Sequence, residues 1–297
     1  MENGIVVLNY LNYEITIKTV ELLLNQKNIE NFSIVIVDNG SNNGSVEFLK
    51  ENFGKIHNIK IISISNNLGF ARGNNLGIRY LRSQNVKNIL IMNSDISFLT
   101  TDGLSDLFKD IPKGVGVIGP DIIGKNGEHA NPIYLPVGII GTLERLIYNM
   151  LGGALPKKIK QKVKKKTNGK ISQLDLKSEQ SKTKKDFFVH GASFLLTANY
   201  FDILPELYPK TFLYYEAQIL KILSKKYNLK YYFNASVTMK HIEDQSSALS
   251  YGNKTDIKQK MVAKSQYEAI ILYFKLLCPN KFIKKWKKNN EDRVLYR

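Results

Sequence analysis

Polar residues with amide or carboxylate side chains follow four apolar segments of this 297-residue chain. The four groups are Asn9-Tyr10, Asp38-Asn39, Asn66-Asn67 and Asn93-Ser94-Asp95. Asparagine and aspartate are common turn formers, so a turn alone would explain any single group. Four groups in succession favour a binding site instead, because amides and carboxylates can hydrogen-bond a polar ligand and a carboxylate such as Asp95 can bind a divalent cation.

Two further residues have side chains suited to catalysis or metal binding. Glu216 is the only carboxylate of the segment TFLYYEAQIL, at the predicted N-terminus of a helix, where the ionised form is favoured. It could remove a proton from a hydroxyl group, or it could merely cap the helix, in which case Glu243 or Asp244 would have to act as the base. His241 precedes a polar loop and could be a metal ligand or a structural residue.

The elements that would position these groups alternate regularly along the first hundred residues. GIVVLN, SIVIVD, IKIISIS and NILIMN are predicted strands, and the segments between them have apolar residues at helical spacing. This alternation, with all-apolar strands, predicts a parallel sheet that is covered on both faces. Ligands of such sheets bind at the carboxyl ends of the strands, so the four polar groups are expected to lie together at one edge.

The rest of the chain is less regular. The pattern predicts a strand at 114–123, a helix at 138–151 and a helix from about Glu216, followed by a strand that ends near His241. Residues 155–186 are rich in lysine and poor in apolar residues, which is typical of a mobile loop or linker.

The net charge of +17 comes from two segments. Residues 155–186 hold twelve lysines and three acids, and residues 254–297 hold twelve basic residues and four acids, while the remaining chain is neutral. A neutral body with two basic segments disfavours a nucleic-acid groove in the core and suggests contact with an anionic surface. A solvated charged face is the alternative. Phe282, Ile283 and Trp286, which are interspersed with lysines, suit an interfacial membrane anchor.

Targeting signals are absent from the residues given. The only cysteine, Cys278, cannot form an internal disulfide, and the N-terminus lacks the features of a signal peptide. No apolar run approaches the roughly 18 residues that a membrane span needs. We therefore expect a cytoplasmic protein.

Four sequence blocks together resemble the nucleotide-sugar half of family 2 glycosyltransferases. They are IVVLNYLN, IVIVDNGSNNGS, NLGFARGNNLGI and ILIMNSDI, within residues 4–99, and the weaker blocks FVHGASFLL, TFLYYEAQIL and HIEDQSS extend the resemblance to about residue 250. The resemblance implies an inverting enzyme with the GT-A fold, a Rossmann-like α/β fold with a mixed, mainly parallel sheet flanked by helices, here with basic helical appendages. Among such enzymes, the chain resembles rhamnosyltransferases and other sugar transferases of bacterial surface polysaccharide assembly.

The resemblance also implies roles for the candidate residues. Asp95 and His241 would hold a divalent cation, Mg²⁺ or Mn²⁺, and Glu216 would be the catalytic base. Two departures affect these roles: Asn93 replaces the first acid of the family's Asp-X-Asp motif, and Ala217 replaces the second acid that commonly follows the residue at Glu216. Arg72 could contact phosphate or be solvated, and His190 is not assigned a role. The residues expected to bind the donor are Asn9, Tyr10, Asp38, Asn67, Gly73, Asn74, Asn75 and Asn93.

The expected organisation has four parts. Residues 1–136 would form the nucleotide-sugar half, 137–186 a helix with the lysine-rich insert, 187–253 the acceptor half and 254–297 basic amphipathic helices. The expected partners are a UDP- or dTDP-linked sugar, a lipid-linked glycan acceptor and an anionic membrane surface at the inner face of the cell membrane, with no nucleic acid. The alternative is a catalytically weak scaffold or partner subunit, which the missing second acid would explain.

Overall fold

An eight-stranded mixed sheet forms the centre of the molecule. The computed structural model describes residues 1–134, 138–151, 187–241 and 255–291. The strand order is β3-β2-β1-β4-β7-β6-β8-β5, with β1 to β4 mutually parallel as predicted. β7 runs antiparallel to β4 and β6, and β5 runs antiparallel to β8. The strands are β1 (Asn3–Asn9), β2 (Phe32–Asp38), β3 (Ile59–Ser63), β4 (Asn88–Asn93), β5 (Ile96–Phe98), β6 (Val115–Ile123), β7 (Ser193–Leu196) and β8 (Lys230–His241).

Helices cover both faces of the sheet, which explains why β1, β2 and β4 are almost entirely apolar. α1, α2 and α4 pack on one face, and α3, α6, α7, α8 and α9 contribute buried side chains to the other. Each fully buried leucine or isoleucine side chain contributes about 1.5–3 kcal/mol to the free energy of unfolding. The helices are α1 (Tyr13–Leu24), α2 (Ser45–Phe53), α3 (Phe70–Ser83), α4 (Gly103–Phe108), α5 (Ile139–Leu151), α6 (Ala198–Ile203), α7 (Glu216–Lys226), α8 (Thr255–Lys275) and α9 (Pro279–Glu291), with a short 3₁₀ helix at Ile29–Asn31.

The C-terminal helices α8 and α9 are basic, as predicted, but the apolar residues of α9 pack inward. Trp286 is buried and meets the Tyr208 ring edge-on, with 5.8 Å between ring centroids. Phe282 and Ile283 are partly buried against the same core cluster. The structure therefore does not support the prediction that these three side chains form a membrane anchor. The sequence could not separate the two outcomes, because an apolar stripe on a basic helix suits either a protein core or a lipid surface.

Among the described residues, no helix has the length and apolar character that a membrane crossing requires. The predicted lysine-rich segment 155–186 and the alternative bases Glu243 and Asp244 lie outside those residues.

Long-range polar contacts join α3 to the segment before α7. The Asn75 side chain is fully buried; its Nδ2 donates to the Leu207 carbonyl at 2.8 Å and its Oδ1 accepts from the Leu207 N–H at 2.9 Å. One turn along α3, Arg79 forms an ion pair with Glu206, with 2.5 Å between Nη2 and Oε2. The two side chains of this pair are 9% and 1% exposed. These contacts fix the second part of the chain to the helix that follows β3.

Removing the buried ion pair should destabilise the fold. Glu206→Gln leaves the Arg79 charge buried without its counter-charge, and we expect the free energy of unfolding to fall by about 3 kcal/mol. Urea unfolding followed by circular dichroism measures the change. The matched control is Glu2→Gln, which breaks the exposed Glu2–Lys87 pair and should have no measurable effect. Equal stability of Glu206→Gln and the wild type would contradict the assigned role.

Candidate functional site

Six strands end at the same edge of the sheet. β6 and β8 are parallel to each other and, through β7, to β1–β4, so the carboxyl ends of all six lie on one side. The predicted residues Asn9, Asp38 and Asn93 are the last residues of β1, β2 and β4. His241 is the last residue of β8, and Asp95 lies in the turn between β4 and β5. The expectation that these groups share one edge is confirmed.

A buried hydrogen-bond network joins the ends of β1 and β2. Asn9 Nδ2 donates to Asp38 Oδ1 at 2.6 Å, and the Ser41 hydroxyl and N–H donate to the same carboxylate at 2.5 and 3.2 Å. Thr16 donates its hydroxyl to Asn9 Oδ1 at 2.6 Å. Asp38 is only 1% exposed, so this network holds its carboxylate rigidly at the edge. Tyr10, the residue after Asn9, has a partly exposed side chain.

A second network shapes the loop before α3. Asn39 Nδ2 donates to Asn67 Oδ1 at 3.0 Å, and the Leu68 N–H donates to Asn39 Oδ1 at 3.1 Å. Asn67 Oδ1 also accepts from the Gly69 N–H at 2.8 Å. Gly69 has φ +84°, and a Cβ there would lie 2.2 Å from the Phe212 carbonyl oxygen, so only glycine fits. The N-terminus of α3 is thus set at the ligand edge, with the partial positive charge that favours anions.

The residues of α3 predicted to bind the donor are all buried. A Cβ at Gly73 would lie 2.8 Å from Leu8 Cδ1, so the absence of a side chain allows the helix to approach β1. Asn74 Nδ2 donates to the Phe70 carbonyl at 3.0 Å, while its buried Oδ1 makes no hydrogen bond within the described part of the chain. The side-chain amide of Asn75 forms two hydrogen bonds with the Leu207 backbone. These contacts give Gly73 and Asn75 structural roles, and direct donor contacts of all three stay predictions.

Asp95 and His241 meet at the edge although they are far apart in the chain. The pairing of β5 with β8 aligns Ile96 with His241, which brings the preceding residue, Asp95, next to the imidazole. His241 Nε2 lies 3.3 Å from Asp95 Oδ1, and both side chains are less than a tenth exposed. Two ligands that bind one ion at about 2.1 Å and at right angles lie about 3 Å apart, so the pair fits a shared cation. Thr19 holds this turn by donating its hydroxyl to the Ser94 carbonyl at 2.6 Å.

Two residues near this pair were not predicted to matter. The centroids of the His190 and His241 rings lie 5.7 Å apart, and the backbone N–H of His190 donates to the fully buried Asn131 Oδ1 at 2.6 Å. Asn131 also donates to the Pro120 carbonyl at 2.8 Å. Across the described residues, no three His, Cys, Asp or Glu side chains cluster as a metal site. Only the block FVHGASFLL hinted at His190, and Asn131 had no sequence signal.

Glu216 begins α7, as predicted, but its carboxyl group faces apolar side chains. It lines a small pocket together with Ala71, Phe194, Leu207, Tyr208, Ile219, Leu220 and Leu223. Its Oε1 is buried and makes no hydrogen bond within the described residues. Burial raises the pKa of Glu216 from 4.5 to about 7. A carboxyl group with a pKa near neutrality can both accept and release a proton.

The two residues before Glu216 adopt an unusual backbone conformation. Tyr214 and Tyr215 both have positive φ angles, 69° and 72°, which cost a non-glycine residue roughly 1–2 kcal/mol each. Tyr215 is held there by its hydroxyl, which lies 3.0 Å from Thr142 Oγ1. Strain of this kind persists where the surroundings enforce it, and it clusters at functional sites.

The first 160 residues match a known family. The family description is "Glycosyl transferase family 2", and the match covers residues 4–163, more than half of the chain. The chain belongs to glycosyl transferase family 2. The expected family and the expected fold are therefore confirmed, whereas resemblance to rhamnosyltransferases in particular stays a prediction. No curated protein matches the chain.

Solved structures with low sequence identity share the GT-A-like fold of this family 2 member. GalNAc-T7 with UDP, GalNAc and Mn²⁺ aligns with a TM-score of 0.55 and 13% identity, over 83% of this chain and 45% of that one. TarS 1-349 of S. aureus in complex with UDP has a TM-score of 0.51 and 13% identity, over 81% and 60%. The mannosyltransferase PcManGT from Pyrobaculum calidifontis with GDP-Man and Mn²⁺ has a TM-score of 0.53 and 11% identity, over 100% and 81%. The chain thus spans less than two thirds of the first two proteins.

The raised pKa of Glu216 predicts a specific pH dependence of stability. Between about pH 4.5 and about pH 7, the folded protein keeps a proton that the unfolded chain loses. The contribution of Glu216 to the free energy of unfolding is therefore fully present below pH 4.5 and is lost as the pH rises through about 7. Glu216→Gln cannot lose that proton. Relative to this variant, the wild type should become less stable over this range and show no further change above it.

Urea unfolding of both proteins at several pH values tests this. Glu51→Gln, an exposed change on α2, is the control and should follow the wild type at every pH. Parallel curves for the wild type and Glu216→Gln would show that the carboxyl group is not buried in a raised-pKa environment.

Proposed function

We propose that this family 2 protein transfers a sugar from a UDP- or dTDP-linked donor to a glycan acceptor, with inversion at the anomeric carbon. The observation that carries the proposal is the meeting of Asp95 and His241 at the strand-end edge, 3.3 Å apart, in a chain of this family. Neighbours of similar fold support a nucleotide-linked donor, since their structures contain UDP, UDP-GlcNAc or GDP-Man. The finer assignment to rhamnosyl or other hexosyl transfer rests on the sequence blocks alone.

The donor would extend along the edge from β2 to β4. Asp38, held by Asn9 and Ser41, and the neighbouring Tyr10 would face the nucleobase, and Asn67 would help to position the loop around it. The N-terminus of α3 would favour the charged diphosphate. Asn93, half-buried at the end of β4, would contact the ribose or a metal-bound water.

Asp95 and His241 would hold a divalent cation. Once bound, the cation would neutralise charge on the leaving diphosphate. A carboxylate and an imidazole make a mixed oxygen and nitrogen ligand set, which suits Mn²⁺ better than Mg²⁺ because Mg²⁺ prefers oxygen ligands. The structures of two neighbours, GalNAc-T7 and PcManGT, contain Mn²⁺.

Glu216 would act as the base. As the acceptor hydroxyl oxygen bonds to the anomeric carbon, the bond from that carbon to the diphosphate breaks, and the hydroxyl proton passes to the Glu216 carboxylate. A pKa of about 7 leaves a substantial fraction of the carboxylate ionised at neutral pH. Because Ala217 has no carboxyl group, Glu216 would have to accept the proton without a second acid beside it. Its side chain would first have to turn from the apolar pocket toward the acceptor.

The proposal also covers the acceptor and the cellular location of the protein. We infer a lipid-linked glycan as acceptor, in the assembly of a cell-surface polysaccharide, and a position at the inner face of the cell membrane. The basic helices support contact with an anionic surface. The second candidate function is a catalytically weak scaffold, which is favoured by Ala217 and by the burial of the Glu216 carboxyl group.

A panel of nucleotide sugars tests the function. We expect the wild type to release nucleoside diphosphate from at least one UDP- or dTDP-sugar, and Glu216→Gln to lose transfer while binding the donor with an unchanged Kd. Glu51→Gln should retain full transfer. Donor binding without turnover in the wild type would favour the scaffold, and transfer by Glu216→Gln at the wild-type rate would exclude Glu216 as the base.

The cation is tested separately. Transfer should stop in excess chelator and return with Mn²⁺ more readily than with Mg²⁺. Asp95→Asn should reduce the affinity for Mn²⁺ at least about tenfold. Asp121→Asn is the matched control, because Asp121 also pairs with a histidine, His129, at 2.8 Å, and it should leave the Mn²⁺ requirement unchanged. Full activity in chelator would remove the cation from the mechanism.

A further inference from the structure

One face of α5 exposes a row of large apolar side chains. Ile140, Leu143, Ile147 and Met150 recur every three or four residues and are 73%, 46%, 48% and 71% exposed. This spacing places all four on one side of the helix, over about 15 Å of its length. We call these four residues the apolar stripe. A helix that packs only within its own protein would bury such a face.

The opposite face of α5 is tied to the protein. Thr142 and Leu146 are buried, and Asn149 Nδ2 donates to Gln266 Oε1 on α8 at 3.0 Å. The Thr142 hydroxyl contacts the Tyr215 hydroxyl, one residue before the proposed base Glu216. The apolar stripe is therefore held outward, on a helix that reaches the candidate site.

Positive charge lies on the helix that packs along α5. The exposed residues of α8 include Lys260 and Lys264, followed by Tyr267 and Phe274, which are 56% and 61% exposed. An apolar helix face whose neighbouring helix exposes lysines and aromatic rings has the composition of a surface that lies in a membrane interface.

We propose that the apolar stripe of α5 enters the interface of an anionic lipid membrane while the exposed lysines of α8 contact the headgroups. This assigns the lipid contact to α5, because Phe282, Ile283 and Trp286 of α9 face the protein core. The inference deepens the proposed function and rests on it for one consequence: Tyr215 and Glu216 would lie close to the bilayer surface, where a lipid-linked acceptor presents its sugar. Anionic lipid is favoured over a second copy of the chain because the lysines that α8 exposes attract anionic headgroups, whereas the same lysines on two copies would repel each other.

Vesicle flotation of the full chain tests the inference without any donor. The wild type should float with vesicles of phosphatidylcholine and phosphatidylglycerol, and much less with phosphatidylcholine alone or at high salt. For the double variant Ile140→Ser and Ile147→Ser, the partition coefficient into the anionic vesicles should fall at least about tenfold. Both positions are exposed, so folding should persist, which circular dichroism verifies.

The matched control changes two exposed leucines on the other face of the sheet. Leu22 and Leu99 are 50% and 53% exposed, and Leu22→Ser with Leu99→Ser should bind vesicles like the wild type. Equal binding by the stripe variant and the wild type, or no wild-type binding, would overturn the inference. Dimerisation of the wild type but not of the stripe variant, measured by light scattering without lipid, would overturn it in favour of a protein interface.

The outcomes for the inference and for the proposed function can be told apart. If the protein transfers sugar to a short water-soluble acceptor but does not bind vesicles, the membrane inference is wrong and the proposed function stands. If the protein binds vesicles through the apolar stripe but consumes no nucleotide sugar, the proposed function is wrong and the membrane inference stands.

Discussion

The short pairing between β5 and β8 determines the geometry of the candidate site. β4 ends at Asn93, the chain turns through Ser94 and Asp95, and the three residues of β5 then align with the end of β8. This alignment brings Asp95 to His241, which enters from the other half of the protein. A shift of one residue in the pairing would move the His241 side chain to the opposite face of the sheet. The proposed cation site thus depends on the register of a three-residue strand.

Several contacts that are remote from this strand join the first part of the chain to the second. Asn75 and Arg79 bind Leu207 and Glu206, so the helix that follows β3 also anchors the segment that leads to α7. The Phe70 N–H donates to the Phe212 carbonyl at 2.7 Å, close to Gly69, where a larger residue would not fit. The N-terminus of α3 therefore lies directly against the segment that leads to Tyr215 and Glu216.

How far the site could be predicted depended on the range of the interactions. Asn9, Asp38 and Asn93 could be assigned to one edge because each follows an apolar strand, and parallel strands bring their carboxyl ends together by local rules. The amide partners of Asn75, the contact between His190 and Asn131, and the burial of the Glu216 carboxyl group had no comparable signal. Each depends on a residue far away in the chain. The prediction for Trp286 was wrong for the same reason, since its partner Tyr208 belongs to another segment.

The amino-acid sequence by itself determined the alternation of β1 to β4 with the helices between them, the family and the polar residues at the strand ends, because periodicity and turn chemistry act between near neighbours. Only the tertiary structure decided which of those residues meet, which carboxyl group is removed from water, and which apolar helix face stays exposed. α5 and α9 make the difference clear: both are helices with apolar residues at helical spacing, yet α9 buries that face against Tyr208, whereas α5 exposes Ile140 and Met150. Burial is a property of the assembled chain, since it requires a partner surface that the helix does not contain.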